Sequence, residues 1–234
     1  MKTLKIGWAF LMIMAPVTLL SSCSKEETND ELDGVYSEKL MGTENLGSVC
    51  LQLDSLPAEP LSEEEISALK HMREEEFLAM DVYLKMYELY KLPVFSNIQR
   101  SESQHTEAVK ALLVKYGLTD PAAEHITGVF ENPELQNLYN ILIETGSKSL
   151  NDALKVGATI EDLDIKDLLD LSEVVDNQDI LLVFANLTKG SRNHLRAFNA
   201  QLVKAGIVYV PQYISQELFA EIISSPHERG CVKP

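Results

Sequence analysis

The sequence predicts an all-α protein, a four-helix bundle with one long crossover between the second and third helices. Three observations carry this. Apolar residues recur at steps of three and four in four separate stretches. Helix start and stop residues bracket each stretch. The second and third stretches are joined by about thirty residues, too many for a structureless loop but suited to a crossover that travels the length of a bundle.

The 234 residues fit one domain of ordinary size plus appendages, and 45% hydrophobic residues suffice for a core. Formal charge is -16, from 20 Lys+Arg against 36 Asp+Glu. Such an acidic chain is a poor nucleic-acid binder, because counterion release needs a basic face. There is no Gly-rich phosphate loop after a strand pattern, no Gly-x-Ser-x-Gly and no repeat of solenoid length.

Residues 1–23 read as an export signal. Lys2 and Lys5 form its charged start, and the apolar run over 6–20 is too short and too early for a spanning helix. The run ends in Leu20-Ser21-Ser22-Cys23, which resembles the lipobox of bacterial lipoproteins. That resemblance implies lipidation of Cys23 and a protein anchored to the bacterial cell envelope, at the outer membrane. Ser24-Lys25-Glu26-Glu27 is similar to the acidic signal that sends some lipoproteins to the cell surface. Several acyl chains anchor stably where one is marginal. The alternative is a plain secretory signal with a chance Cys.

Residues 24–61 are polar and broken by Gly34, Gly42, Gly47, Pro57 and Pro60, the composition of a partly disordered linker. With Cys23 lipidated, Cys50 and Cys231 remain. They form a candidate disulfide between linker and tail, or stay as two thiols.

The first helix starts at Ser62, whose run Ser62-Glu63-Glu64-Glu65 is a capping box, and extends to about Lys91, before Pro93. Its apolar seam reads Ile66, Leu69, Arg73, Glu76, Met80, Tyr83, Tyr87, Tyr90. Glu76 is a carboxylate in mid-seam, and Glu74 and Glu75 are expected to face outward or sideways. The second helix covers about 94–116, with Gly117 as its stop. Its seam reads Ile98, Glu102, His105, Val109, Leu112, Tyr116. Glu102 and His105, three apart, share one face.

The crossover over 119–147 holds Pro121, Gly128, Pro133 and Gly146, with a short helix expected over 133–144. The third long helix, over 149–175, has the seam Leu150, Leu154, Gly157, Glu161, Asp164, Leu168, Leu171, Val175. The fourth, over 177–205 and stopped by Gly206, has Ile180, Phe184, Leu187, Ser191, His194, Phe198, Leu202, Ala205. The bundle therefore spans 62–206. The tail over 207–234, with Pro211 and an amphipathic stretch over 216–223, is expected to pack against it.

Each seam is interrupted near its centre: by Glu76, by Glu102 and His105, by Glu161 and Asp164, by Ser191 and His194. Interruptions at similar depth meet in one layer. Four carboxylates cannot stay buried and ionised without cations. Arg73 is the one seam cation near them. Two divalent metal ions would balance the charge. Carboxylate and imidazole donors suit iron or manganese, with zinc as an alternative. Taken singly, these residues have blander readings. His194 alone would be a core histidine, Glu161 and Asp164 a solvated face, and Tyr83 and Tyr87 core packing. His71, off the seam, would be a surface residue, and His125 and His227 carry no signal.

The arrangement resembles the ferritin-like di-iron family, whose plan is a Glu from each of two helices and a Glu-x-x-His from each of the other two. It is closest to the rubrerythrin branch. The run over 76–83, Glu-Phe-Leu-Ala-Met-Asp-Val-Tyr, is similar to that branch's first-helix pattern, Glu102-Ser103-Gln104-His105 to its second, and Glu161 with Asp164 to the paired acids of its third. The run over 190–198 is similar to a bacterial family of ferritin-like domains of unassigned function. The resemblance covers about residues 62–205. It implies Glu76, Glu102, His105, Glu161 and His194 as ligands of two irons, with Asp164 a ligand or the orienter of one. It further implies oxidation of ferrous iron or reduction of peroxide, and pairing into homodimers.

Two features depart from the pattern. Ser191 stands where a fourth Glu belongs, so the last motif is Ser-x-x-His. No Cys-x-x-Cys module follows the bundle, so any electron donor is external. The competing expectation is a non-catalytic surface lipoprotein that binds one metal or a partner through a degenerate site. A third is an empty bundle with protonated acids, which loses stability as pH rises.

Overall fold

The structure, a computed structural model, describes Leu53 and residues 55–233. The export signal, Cys23, Cys50 and most of the linker fall outside the described residues. Among those described there are six helices and no strand: α1 (Glu63–Tyr90), α2 (Pro93–Lys115), α3 (Pro133–Gly146), α4 (Leu150–Val174), α5 (Gln178–Lys204) and α6 (Gln216–Ser224). The described residues are all-α, and none of their helices is long and apolar enough to cross a membrane.

Local chemistry sets the helix ends. Glu65 N donates to Ser62 Oγ (3.1 Å) and Ser62 N donates to Glu65 Oε2 (2.8 Å), closing the expected capping box of α1. Glu65 also reaches across the fold, where Oε1 accepts from Asp176 N and Asn177 N at the start of α5. Pro93 opens α2, where its missing N–H costs no hydrogen bond. Asn132 caps α3 and Ser149 caps α4. Gly117 and Gly206 take φ of 65° and 72° just past α2 and α5.

The two longest contacts pair α1 with α2 and α4 with α5, and these pairs pack on each other through α2 with α5 and α1 with α4. The crossover helix α3 lies against α1 and α4. In the tail, α6 packs on α5. Buried Asp162 of α4 accepts from Tyr209 OH (2.9 Å) and from the backbone N–H groups of residues 212–214. Arg192 and Arg196 hold Glu228.

The core is two apolar clusters. One gathers Leu78, Val82, Tyr83, Ile98, Leu154, Leu195 and Phe198 among others, and the second Leu69, Met72, Val109, Leu112, Leu168, Phe184 and Leu187. On every long helix the seam's polar interruption falls between residues of the first cluster and residues of the second. The interior is thus divided by one polar layer.

One local expectation is corrected. Glu74 and Glu75 do not face outward; both are buried. The first helix is covered on more than its seam side, because the crossover and α4 lie over its flank. Glu74 Oε1 accepts from Glu131 N (2.6 Å) and Asn132 N (3.2 Å), fastening the start of α3. Ile66 and Met80, placed in the seam, are only half-buried, whereas Met72, Ala79, Val82 and Met86 are buried.

Candidate metal centre

The polar layer takes Glu76 from α1, Glu102 and His105 from α2, Glu161 and Asp164 from α4, and Ser191 and His194 from α5, all of them buried. Five of these form two groups that share Glu102. Glu76, Glu102 and His105 offer donor atoms within 4.8 Å of one another, and so do Glu102, Glu161 and His194. His105 Nδ1 lies 2.6 Å from Glu102 Oε2 and 3.2 Å from Glu76 Oε2. His194 Nδ1 lies 2.9 Å from Glu102 Oε1 and 3.4 Å from Glu161 Oε2. The two imidazoles stack with centroids 5.5 Å apart.

Outer contacts orient this layer. His194 Nε2 pairs with Ser101 Oγ at 2.9 Å, which turns Nδ1 inward. Tyr83 OH donates to Glu161 Oε1 at 2.5 Å. Gly190 of α5 sits against the ring of His105, where a Cβ would fall 2.6 Å from Nε2. Asp164 lies outside both groups. Ser191 Oγ donates to Asp164 Oδ2 and bonds the Leu187 carbonyl as well. Arg73 does not answer the layer's carboxylates. Its Nε donates to Asp120, its Nη1 to the Thr106 carbonyl, and its guanidinium lies 4.6 Å over the Phe77 ring.

Burial and neighbouring charge push the titrations apart. Burial raises the Glu76 carboxyl to about 8 and the Glu161 carboxyl to about 7. Burial, with the charges of Glu76, Glu75 and Glu161, drives Asp164 well above the usual carboxylate range. Burial acts the same way on Glu102, but His194 and His105 on either side outweigh it and hold that carboxyl well below the usual range. Burial would lower both imidazoles, yet Glu102 and Glu161 lift His194 to about 9, and Glu76 and Glu102 lift His105 well above its ordinary value.

Glu76 Oε1, Glu102 Oε1, Asp164 Oδ1 and His194 Nδ1 are buried and make no hydrogen bond. Each such atom costs about 1–3 kcal/mol if nothing takes its lone pairs. His194 Nδ1 and Glu102 Oε1 face one another at 2.9 Å as an ion pair that falls outside hydrogen-bond geometry. Buried carboxylate oxygens and imidazole nitrogens that converge with several of their lone pairs left over are the donor set that iron, manganese or zinc takes. The residues present therefore fit a metal.

All six residues expected as ligands lie in the layer, five of them in the two donor groups. Ser101, Tyr83 and Gly190 gave weaker warning. Gly190 is an isolated glycine inside a helical pattern, the one signal that could have marked a close approach. His125, expected to carry nothing, pairs through Nε2 with Asp81 Oδ2 at 2.9 Å and stacks on Phe77. Cys231 borders the second apolar cluster, and its expected pairing with Cys50 falls outside the described residues.

Residues 65–226 match the family described as "Uncharacterized protein domain (DUF2202)". The chain is 56% identical over 178 residues to the uncharacterized protein MJ0754 of Methanocaldococcus jannaschii, an alignment covering 76% of this chain and 96% of the relative. The crystal structure of the hypothetical protein MJ0754 from Methanococcus jannaschii superposes with a TM-score of 0.73 at 55% identity. It covers 74% of this chain and 99% of that one.

Proposed function

The chain belongs to the DUF2202 family, and we propose that its polar layer would hold two metal ions in a ferritin-like four-helix bundle, serving redox chemistry. The observation that carries this reading is the position of Glu102 between two donor groups, each with its own imidazole and its own further carboxylate. Glu76 and His105 would hold one ion, Glu161 and His194 the other, and Glu102 both. Asp164, with one oxygen lacking a hydrogen bond, would supply the carboxylate that Ser191 cannot. Iron is the first candidate, with manganese or zinc as alternatives.

Bound iron would supply reversible one-electron change and open positions for oxygen or peroxide. The chain's own residues do the rest. Tyr83 steadies Glu161 and Ser101 steadies His194, so two donors keep their aim. Glu102, whose carboxyl is held ionised by its flanking imidazoles, presents one oxygen to each side. The two apolar clusters keep bulk water from the layer.

The reaction supported best is oxidation of ferrous iron or reduction of peroxide, with electrons from an external donor. With Leu20-Ser21-Ser22-Cys23 read as a lipobox, this would be an envelope-anchored activity. The test is metal stoichiometry, followed by anaerobic ferrous loading and exposure to oxygen or peroxide. Two irons per chain with turnover above background are expected. One metal or none, with no oxidation, overturns the reading.

A second reading rests on one observation. Because Ser191 binds Asp164, that carboxylate is partly engaged and the second position is poorer in donors. The centre would then hold a single redox-silent metal in a binding protein.

A further inference from the structure

Outside the layer, a second group of donors spans α1 and α4. His71 Nε2 lies 3.2 Å from Glu75 Oε2 and 3.6 Å from Asp167 Oδ2. His71 and Glu75 are four apart on α1, so they share a face; Asp167 comes from α4. Donor atoms of all three lie within 4.8 Å of one another. The Glu75 side chain is only 4% exposed, and its Oε2 faces His71 at ion-pair distance but outside hydrogen-bond geometry. A buried carboxylate oxygen set against an imidazole at ion-pair distance but outside hydrogen-bond geometry also occurs in the central layer, between Glu102 and His194.

The group sits between solvent and the centre. His71 and Asp167 side chains are 31% and 30% exposed. His71 also lines a cleft of about 570 Å³, together with Glu63, Glu64, Lys70 and Glu74. Acidic walls of this kind concentrate cations. Inward, Asp167, Asp164 and Glu161 follow one another at three-residue spacing along one face of α4, and exposure falls to 6% at Asp164 and 1% at Glu161. On α1, Glu75 directly precedes Glu76. Glu75, Glu76 and Glu161 all bear on Asp164, so carboxylates of α1 and α4 lie between this group and the centre.

We propose that His71, Glu75 and Asp167 bind one divalent transition-metal ion at the solvent end of this file, and that ions bound for the centre load through it. One imidazole and two carboxylates suit zinc, cobalt, manganese or iron, and three protein donors leave positions for water from the cleft. The binding claim stands on its own geometry; the loading role rests on the two-metal reading above.

The test adds Co²⁺ anaerobically to the full chain, whose visible absorption reports occupancy and filling rate together. His71→Ala and the gentler Asp167→Asn are each expected to bind one ion fewer than the parent while keeping its helical circular dichroism. Both should fill the centre to the parent level but roughly tenfold more slowly. Glu102→Gln, which strips the centre, should keep the His71 ion. Equal occupancy in parent and His71→Ala overturns the site. Loss of that ion with an unchanged filling rate overturns the loading role alone. An ion lost with His71→Ala but with no effect of Glu102→Gln upholds this site and sinks the two-metal centre instead.

Discussion

Gly190 makes room for His105: a Cβ on the glycine would fall 2.6 Å from Nε2 and 2.7 Å from Cε1 of that ring. The imidazole cannot step aside cheaply, because Glu76 and Glu102 engage Nδ1 on its far side. Gly190→Ala should therefore displace the ring. A stability loss of about 1–3 kcal/mol is expected from overpacking, although alanine is the better helix former. Metal bound by the Glu76 group should weaken in parallel. Denaturant midpoints and metal titration check both, and unchanged values would show that the ring is mobile.

Glu102 is the one residue common to both donor groups. Its replacement by glutamine keeps the shape but removes the charge between two imidazoles. Glu102→Gln should lose stoichiometric metal at the centre while keeping helical content. Full metal retention would remove Glu102 from the ligand set.

Without metal, the layer should weaken as pH rises. Folded Glu161 and Glu76 have carboxyls raised to about 7 and about 8, and His194 is raised to about 9. A raised folded value gives stability that is fully present below the unfolded value and is lost as pH climbs through the folded one. The metal-free protein should thus lose stability progressively as pH rises from the ordinary Glu value of 4.5 to about 9, with the Glu161 part complete by about 7 and the His194 part last. Glu102, held below the usual range, acts in the opposite sense and only at the acid end. Bound cations should flatten the alkaline loss. Thermal midpoints at pH 6 and pH 9, with and without metal, give the comparison.

Ser191 is bonded to Asp164 deep in the fold. Ser191→Ala leaves a second Asp164 oxygen unsatisfied and should cost about 1–3 kcal/mol in the metal-free protein. If Asp164 is a ligand, added metal should recover most of that loss. No recovery would limit Asp164 to a structural part.

The tail should detach in acid before the helices melt. Burial would raise the Glu228 carboxyl, but Arg192 and Arg196 outweigh it and hold it below the usual carboxylate range. A lowered folded value gives stability present above the unfolded value and lost as pH falls through the folded one. Glu228→Gln should mimic that loss at neutral pH, read as faster amide exchange over 207–233 with little change in α1 and α2.

The helices were legible in the sequence because their signals are local. Ser62 with Glu65, Pro93, Gly117, Ser149 and Gly206 each act within a turn of their own position, and all mark helix ends within a residue or two of those observed. The central layer was legible for a related reason. A carboxylate or imidazole inside an apolar seam is costly wherever the seam packs, so four interruptions at like depth point at one another. Glu76, Glu102, His105, Glu161, Asp164 and His194 could be named on that ground.

Periodicity measures only the face a helix buries against its nearest partner. Glu74 and Glu75 escaped it because the crossover and α4 cover a further side of α1. Asp167 meets His71 through the packing of two helices nearly a hundred positions apart in the chain, so no local spacing announces the pair. The fit of Gly190 to His105, the bond from Ser191 to Asp164 and the placing of Glu102 between two imidazoles depend on distances of a few ångströms between helices. Those distances come from how the side chains of all four helices interlock, and no single stretch of sequence contains them.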